Sequence, residues 1–526
     1  MGALKGTDTN MDQTPHNSQP PGGASLFAAI RSAAPDGSRV FIRDVAGHRL
    51  TYHEMYAETA RIANCLVAAG LRPGDRLAVQ VEKSVTAILV ALACMRAGAI
   101  FLPLSPAYTL AELEYFLADA EPSCVVVQPG KQSSIGSMLA GKAAILTLDS
   151  GGKRGSLIDG TRGMPDSIHD VPRTADDLAA ILYTSGTTGR SKGAMLTHYN
   201  LVSNALTLRD LWRFTRDDVL LHALPVYHTH GLFTATNTVL MAGASMVFLP
   251  RFDAELIFAH LPGCTTMMGV PTFYTRLLAD PRLTREAAAH MRVFISGSAP
   301  LLPETHREWF DRTGHAILER YGMTETNMIA SNPYDGERRA GAVGYPLPGV
   351  DLRVVDGGTG EALPDGEIGM IELRGPNVCK GYWRKPEQTA ETFRGDGFFV
   401  TGDLGRINAD GYLEIVGRAK DLVITGGFNV YPREVEFEID AIPGVVESAV
   451  IGVPHPDFGE GVTAVIVRKR DVELSESVIL EALRERLAKF KLPKRVVFRD
   501  VLPRNAMGKV QKNELRNIYR DLYVNS

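Results

Sequence analysis

Hydroxyls, glycines and a lysine crowd into Thr184-Ser-Gly-Thr-Thr-Gly-Arg-Ser-Lys-Gly193, directly after the apolar run Ala179-Ala-Ile-Leu-Tyr183. Five hydroxyls and three glycines in ten residues suit the wrapping of phosphate oxygens by backbone N–H and hydroxyl donors. A Ser/Gly surface loop is the plainer alternative. No GxxxxGKS/T register fits, so this is not a Walker A loop, and no GxGxxG follows a strand to support a dinucleotide fold. Tyr321-Gly-Met-Thr-Glu-Thr326 sets hydroxyls beside the lone carboxylate of Glu325, an oxygen ligand suited to a hard cation bridging phosphates. The same residue types also open ordinary helices. Thr401-Gly-Asp403 ends a strand-like run with a carboxylate able to accept both hydroxyls of a ribose, or simply to close a turn. Lys509 follows a glycine in Pro503-Arg-Asn-Ala-Met-Gly-Lys-Val-Gln-Lys512, where a solvated lysine is the commonplace reading.

Such groups need rigid supports, and the surrounding pattern alternates strands with helices. Thr51 and Glu54 form a capping box before a helix with Met55, Ile62 and Leu66 on one face, closed at Gly70. Residues 76–81 read as a strand and 84–97 as a helix ending at Gly98. Thr109 and Glu112 repeat the capping box, and Cys124–Val127 is the next strand. This order predicts a largely parallel sheet covered by helices. After about residue 345 the pattern changes, and Asp410-Gly411 between two apolar runs signals a hairpin. Beyond Asp421 come a helix over Pro432–Asp440, strands near 448–453 and 464–467, a helix over 475–489 and a strand over 495–498. The expected fold class is α/β: a large N-terminal domain of mostly parallel sheets and helices with a β-rich subdomain, hinged to a small α+β C-terminal domain. Residues 1–24 are expected to be a disordered tail, 25–417 the large domain, 418–421 the hinge and 422–526 the mobile domain.

The chain of 526 residues is too long for one ordinary domain. Lys and Arg number 56 against 60 Asp and Glu, a net charge of -4, which offers no field to attract nucleic acid or an anionic membrane. The five cysteines are scattered without a CxxC pair, as expected of buried thiols in a reducing compartment rather than a disulfide frame or zinc site. No apolar run is long enough to span a bilayer, and the first residues match no targeting signal. A cytoplasmic location is expected.

Taken in order, the 184–193 loop, YGMTE, TGD, GRAKD and PRNAMGK segments resemble the adenylate-forming superfamily of acyl-CoA synthetases, firefly-type luciferases and peptide-synthetase adenylation domains. The resemblance runs from about Ser25 to Leu522. It implies an ATP-dependent acid–thiol ligase, with ATP and CoA as co-substrates and Mg²⁺ as cofactor. By that likeness Thr184, Ser185, Gly186, Thr187, Thr188, Gly189 and Lys192 would hold the β- and γ-phosphates. Gly297, Ser298, Ala299, Pro300 and Tyr321, with Glu319 and Gly322 beside them, would line the adenine. Asp403 and Arg418 would fix the ribose, Thr324 would touch the α-phosphate, and Glu325 would bind Mg²⁺. Lys509 would bridge the α-phosphate and the attacking carboxylate. Lys420 matches the hinge, whose rotation would withdraw Lys509 and bring Gly426, Gly427, Phe428 and Asn429 to the pantetheine channel.

Two segments bear on the acid. Arg276 lies on a helix started by Pro271, and Pro225-Val-Tyr-His-Thr-His-Gly231 carries His228 and His230 where related enzymes gate the acyl pocket. A dicarboxylate leaves a second anion to be paired, and an arginine fork is its natural partner. The wording SGSAPL, ERYGMTETN and KDLVITGGFNVYP most resembles the malonyl-CoA synthetase subgroup. In that subgroup the matches to Arg276, Ser298 and Arg320 contact the distal carboxylate. The resemblance thus implies malonate, with methylmalonate tolerated, and His228 and His230 as pocket walls. A fatty- or aryl-acid CoA ligase on the same scaffold is the alternative. A lysine acylation and deacylation system acting on Lys509 is a further expected partner, because acylation erases the charge.

Overall fold

The computed structural model describes residues 25–34, 37–184, 191–426, 428–469, 472–505 and 508–523; the expected tail, residues 1–24, lies outside them. Both capping boxes form. Thr51 and Thr109 accept from the N3 backbone while Glu54 and Glu112 reach back to the cap, which starts the helices Tyr52–Ala68 and Leu110–Ala120. Ser84 caps Val85–Arg96, a helix buried from Ala87 to Arg96, so it needs no polar face. Cys124–Val127 is buried at every position because parallel neighbours, Arg76–Gln80 and Ala144–Thr147, flank both its edges. A six-stranded sheet results, parallel except for its last pair. That pair is the antiparallel hairpin Leu178–Thr184 and Lys192–Thr197, which carries the Ser/Thr/Gly loop at its tip.

A nine-stranded sheet stands beside it. Its middle strands Val219–His222, Thr266–Gly269, Val293–Ser296 and Leu318–Met323 run parallel. The chain leaving their carboxyl ends carries in turn His228 and His230, Arg276, Ser298, and Glu325. In α/β folds the crevice beyond such strand ends is where ligands bind. One local feature was not expected from the sequence: His230–Thr236 is a stretch of π-helix, a form that recurs at functional sites.

Residues 351–418 build the β-rich part, a four-stranded antiparallel sheet. The Asp410-Gly411 turn joins Phe399–Ile407 to Leu413–Arg418, with Gly411 at φ +83°, a backbone region natural to glycine. That register sets Asp403 opposite Arg418. A single 3₁₀ turn, Ala419–Asp421, follows. The C-terminal part has its own sheet and its own core around Val423, Val450, Val462 and Ile479. Pro432–Asp440 is helical as expected. The hairpin strands Val445–His455 and Gly459–Arg468 are longer than expected, since they pair through to their turn. The helix starting after Ser475 ends at Arg484 rather than near 489. Its chain turns early, and Phe490 stacks on Phe428 with ring centroids 4.6 Å apart. Among the described residues no helix is long and apolar enough to cross a membrane.

Candidate active site

The hairpin register explains the first cluster. Arg418 Nε lies 2.5 Å from Asp403 Oδ1, the Tyr321 hydroxyl donates to Asp403 Oδ2, and the Asp403 N–H donates to Thr401 Oγ1 at 3.0 Å. Burial works against the Arg418 charge, but the carboxylate of Asp403 outweighs it and raises its pKa. Burial first, then Asp403, pushes the Tyr321 hydroxyl well above its ordinary value, so it stays a neutral donor. Gly322 admits no side chain: a Cβ there would stand 2.2 Å from the Asn327 carbonyl.

Glu325 anchors a second cluster. Its Oε1 accepts from the Thr184 hydroxyl at 3.2 Å and the Tyr382 hydroxyl at 3.1 Å, and its carbonyl accepts from the Cys379 N–H at 2.7 Å. The Lys192 ammonium lies 5.0 Å from the centre of the Tyr382 ring, which ties the far end of the loop to the same cluster. Ser185, Gly186, Thr187, Thr188 and Gly189 lie outside the described residues. Thr324 is half-buried beside Glu325. Glu319 is placed differently from its neighbours. Its carboxylate accepts from the Gly341 N–H at 3.2 Å, and burial pushes its pKa up to about 8 against Gly341 and Arg433.

A third cluster gathers basic side chains. Ser298, at φ +73°, places its hydroxyl 3.1 Å from His230 Nδ1, and the His230 N–H donates to His228 Nδ1 at 3.3 Å. Gly297 lies against the Arg320 guanidinium, where a Cβ would come within 2.5 Å; Ala299 is half-buried and Pro300 exposed. Arg320 is 3% exposed, and its Nε and Nη2 have no partner among the described residues. Burial lowers its pKa to about 9. Burial, then Arg320, pulls His228 down to about 4, and His230 is held well below the usual range by burial, Arg320, His228 and His222.

Arg276 is exposed, with its guanidinium 5.5 Å from the Phe252 ring centre. It does share a helix face with Thr272 one turn earlier. Thr272 Oγ1 stands 3.5 Å from where a Cβ on Gly508 would sit, so that face looks toward the loop bearing Lys509. Lys509 donates its backbone N–H to Asn505 Oδ1 at 2.9 Å. Burial in the cleft and the Arg418 charge lower its pKa to about 8, partly offset by Asp403 and Asp421. Its own side chain remains open to solvent, so the cleft walls weaken the charge without enclosing it. Lys420 is exposed on the 3₁₀ turn, and its neighbour Asp421 holds Arg516 at 2.8 Å. Gly426, Phe428 and Asn429 form a separate hairpin tip, with Phe428 54% exposed; Gly427 lies outside the described residues. Sequence reasoning missed Tyr382. Nothing local marks it, because it reaches Glu325 only through a contact made across the fold.

The sequence profile of the AMP-binding enzyme family matches residues 30–383, and that of the AMP-binding enzyme C-terminal domain matches residues 434–509. The structure of ATP-bound MatB from Rhodopseudomonas palustris superposes with a TM-score of 0.94 at 61% identity, over 95% of this chain and 100% of that one. Apo MatB, with the same identity and coverage, superposes at 0.83. A feruloyl-CoA synthase from an Amycolatopsis species is 38% identical over 89% of this chain and 94% of its own length. A malonate–CoA ligase from Arabidopsis thaliana is 35% identical over 85% of this chain and 78% of its own. With most of its length matched by the profile and by relatives of this kind, the chain belongs to the AMP-binding enzyme family.

Proposed function

We propose that this protein is a malonate–CoA ligase that uses ATP to make malonyl-adenylate and pyrophosphate, then transfers the acyl group to coenzyme A with release of AMP. One observation carries the choice of acid: the buried Arg320 guanidinium, with two nitrogens lacking partners among the described residues. A buried charge left unpaired is strongly destabilising, and a second carboxylate on the substrate supplies what is missing. The likenesses to malonate–CoA ligase from Arabidopsis thaliana and to ATP-bound MatB support the same reading.

In the first half-reaction a malonate carboxylate oxygen attacks the α-phosphorus, and the bond to the oxygen bridging toward the β-phosphate breaks. Lys509 steadies the charge that builds between the attacking carboxylate and the α-phosphate, while Thr324 donates to that phosphate. The 184–193 loop and Lys192 hold the outer phosphates. Asp403 accepts from the ribose hydroxyls, with Arg418 fixing the carboxylate, and Gly297, Ser298, Ala299, Pro300 and Tyr321 line the adenine. His230, Ser298, Arg320 and, at the mouth, Arg276 receive the distal carboxylate.

Glu325 fits a magnesium ion. Thr184 and Tyr382 both engage one of its oxygens, which leaves the other as a hard ligand to be joined by phosphates and water. Bound there, the ion would neutralise phosphate charge. In the second half-reaction the thiol sulfur attacks the acyl carbon and AMP leaves. Rotation about Lys420 withdraws Lys509 and brings Gly426, Gly427, Phe428 and Asn429 toward the thiol, the kind of domain motion that separates catalytic steps. Lys509, being exposed, is also open to a lysine-acylating enzyme, which would erase its charge.

The test is AMP release, with and without CoA, on malonate, methylmalonate, acetate, octanoate and ferulate. Malonate is expected to lead. Methylmalonate should be used more slowly, since one methyl changes apolar binding by about 1–3 kcal/mol, roughly 10- to 200-fold. The feruloyl-CoA synthase likeness favours an aryl acid, and a faster rate with ferulate would settle the matter that way.

A further inference from the structure

Behind the acid end lies a lysine that the reaction as described does not use. Lys83 is 9% exposed and sits just before Ser84, the cap of the helix Val85–Arg96. Its ammonium donates to the His222 carbonyl at 2.8 Å, lies 3.1 Å from His222 Nδ1, and is 4.3 Å from the centre of the Phe248 ring. Among the described residues it has no carboxylate partner. Burial alone pushes its pKa well down, with no opposing contribution. The N-terminal end of a helix also disfavours a cation. A lysine buried in this way is costly, and perturbed buried groups beside a cleft are candidates for functional roles.

The contacts lead from Lys83 into the acid end. His222 Nδ1 faces the lysine, so its proton sits on Nε2 and is donated to the Gly231 carbonyl at 2.9 Å. Gly231 is pinned in place, since a Cβ on it would stand 2.0 Å from the Pro225 carbonyl. The adjoining residue is His230, whose Nδ1 meets Ser298 and whose buried Nε2 has no partner among the described residues. Arg320 completes the group. Lysine, imidazoles and guanidinium thus form one contiguous floor, and no ion pair in the described residues joins any of them to an acid.

We propose that Lys83 is a specificity-determining residue. Through His222 and the turn ending at Gly231 its buried charge favours an acid with a second negative charge over a singly charged one of the same shape. It acts through other residues, so it is a positioning residue and not a catalytic one. This rests on the malonate reading above.

The test compares malonate with malonamate, in which a neutral carboxamide replaces the distal carboxylate, on wild type, Lys83→Met and Lys83→Arg. In Lys83→Met the ratio of kcat/KM for malonate over malonamate should fall by about tenfold or more, carried by KM for malonate, while KM for ATP changes less than about twofold. Lys83→Arg keeps the charge but changes the shape, and should keep most of the ratio. A Lys83→Met enzyme with the wild-type ratio overturns the proposal. So does a Lys83→Arg enzyme that loses the ratio, whether or not Lys83→Met yields folded protein, because shape would then be what matters. Failure of wild type to use malonate would instead strike the functional reading, a result seen before any variant is made.

Discussion

At the Asp403 end of the cleft charges are matched: Arg418 faces Asp403 across a hairpin and Tyr321 donates to the same carboxylate. At the Arg320 end basic side chains gather with no acid paired to them among the described residues, and Arg320, Lys83 and a neutral His230 are all buried. Under the proposed function, the difference follows from what each end would hold. Ribose hydroxyls are neutral, so a carboxylate fixed in advance by its own arginine can accept from them at little further electrostatic cost. A distal carboxylate carries charge, and a pocket that had already paired its arginine would have to break that pair to admit it. The matched end is complete before the ligand arrives, whereas the unmatched end is completed by it.

The removal of Lys509 is expected to have the largest effect. Lys509→Ala should slow malonate-dependent exchange of pyrophosphate into ATP by a factor of about 10²–10³, the usual loss for one preorganised electrostatic contact. Thiol transfer from supplied malonyl-adenylate should be largely spared. Equal loss in both half-reactions would remove Lys509 from its role. Because its pKa lies near 8, the adenylation rate in wild type should also decline above about that pH, as the ammonium loses its proton.

The two ends can then be broken separately. Arg320→Met should raise KM for malonate by about 100-fold, within the range for removing a charged partner from a buried site, with KM for ATP little changed. Asp403→Asn should do the reverse, raising KM for ATP by about tenfold as a charge-assisted contact is weakened. If either substitution moves both constants together, the division of the cleft into independent ends fails.

Much of this architecture is legible in the sequence where the cause is local. The capping boxes at Thr51 and Thr109, the strand Cys124–Val127 and the helix Pro432–Asp440 each depend on a few adjacent residues. The hairpin at Gly411 is also local, but the Asp403–Arg418 pairing it creates is a matter of register, set only when both strands are aligned. The acid end is harder to read. Arg276 and Arg320 look alike as letters, yet the first lies on an exposed helix face and the second on a buried strand. Lys83 reads as a surface residue beside a cap, and only the packing of two sheets buries it against His222. The π-helical turn after His230 has no helix-period signal to betray it.

That contrast between the arginines gives a smaller prediction. Arg276→Ala should raise KM for malonate only a few-fold, as expected for a solvent-exposed charge worth about 1 kcal/mol or less. The comparison is made with Arg320→Met under the same salt, and raising the ionic strength should shrink the Arg276 effect but not the Arg320 effect. A loss at Arg276 equal to that at Arg320 would mean that the exposed helix face closes over the acid when substrate is present.

The smallest effect is on stability. Burial and neighbouring cations depress the pKa of His222 to about 3 and of His198 to about 4. The unfolded chain, with histidines near 6.5, therefore binds more protons than the folded one at pH values below 6.5. Stability from these groups is present above pH 6.5 and is lost as pH falls toward 4. At pH 5.5 each of the two should have given up about 1 kcal/mol, since one pKa unit corresponds to about 1.4 kcal/mol. Urea midpoints at pH 7.5 and 5.5 measure the total, to which the similarly depressed His228 and His230 add. His222→Gln should lower the midpoint at pH 7.5, because the bond to Gly231 is disturbed, yet make the fall toward pH 5.5 shallower by its own share. An unchanged slope in that variant would mean that His222 is already protonated in the folded protein, and the cationic floor beneath the acid end would then carry one more charge than its contacts indicate.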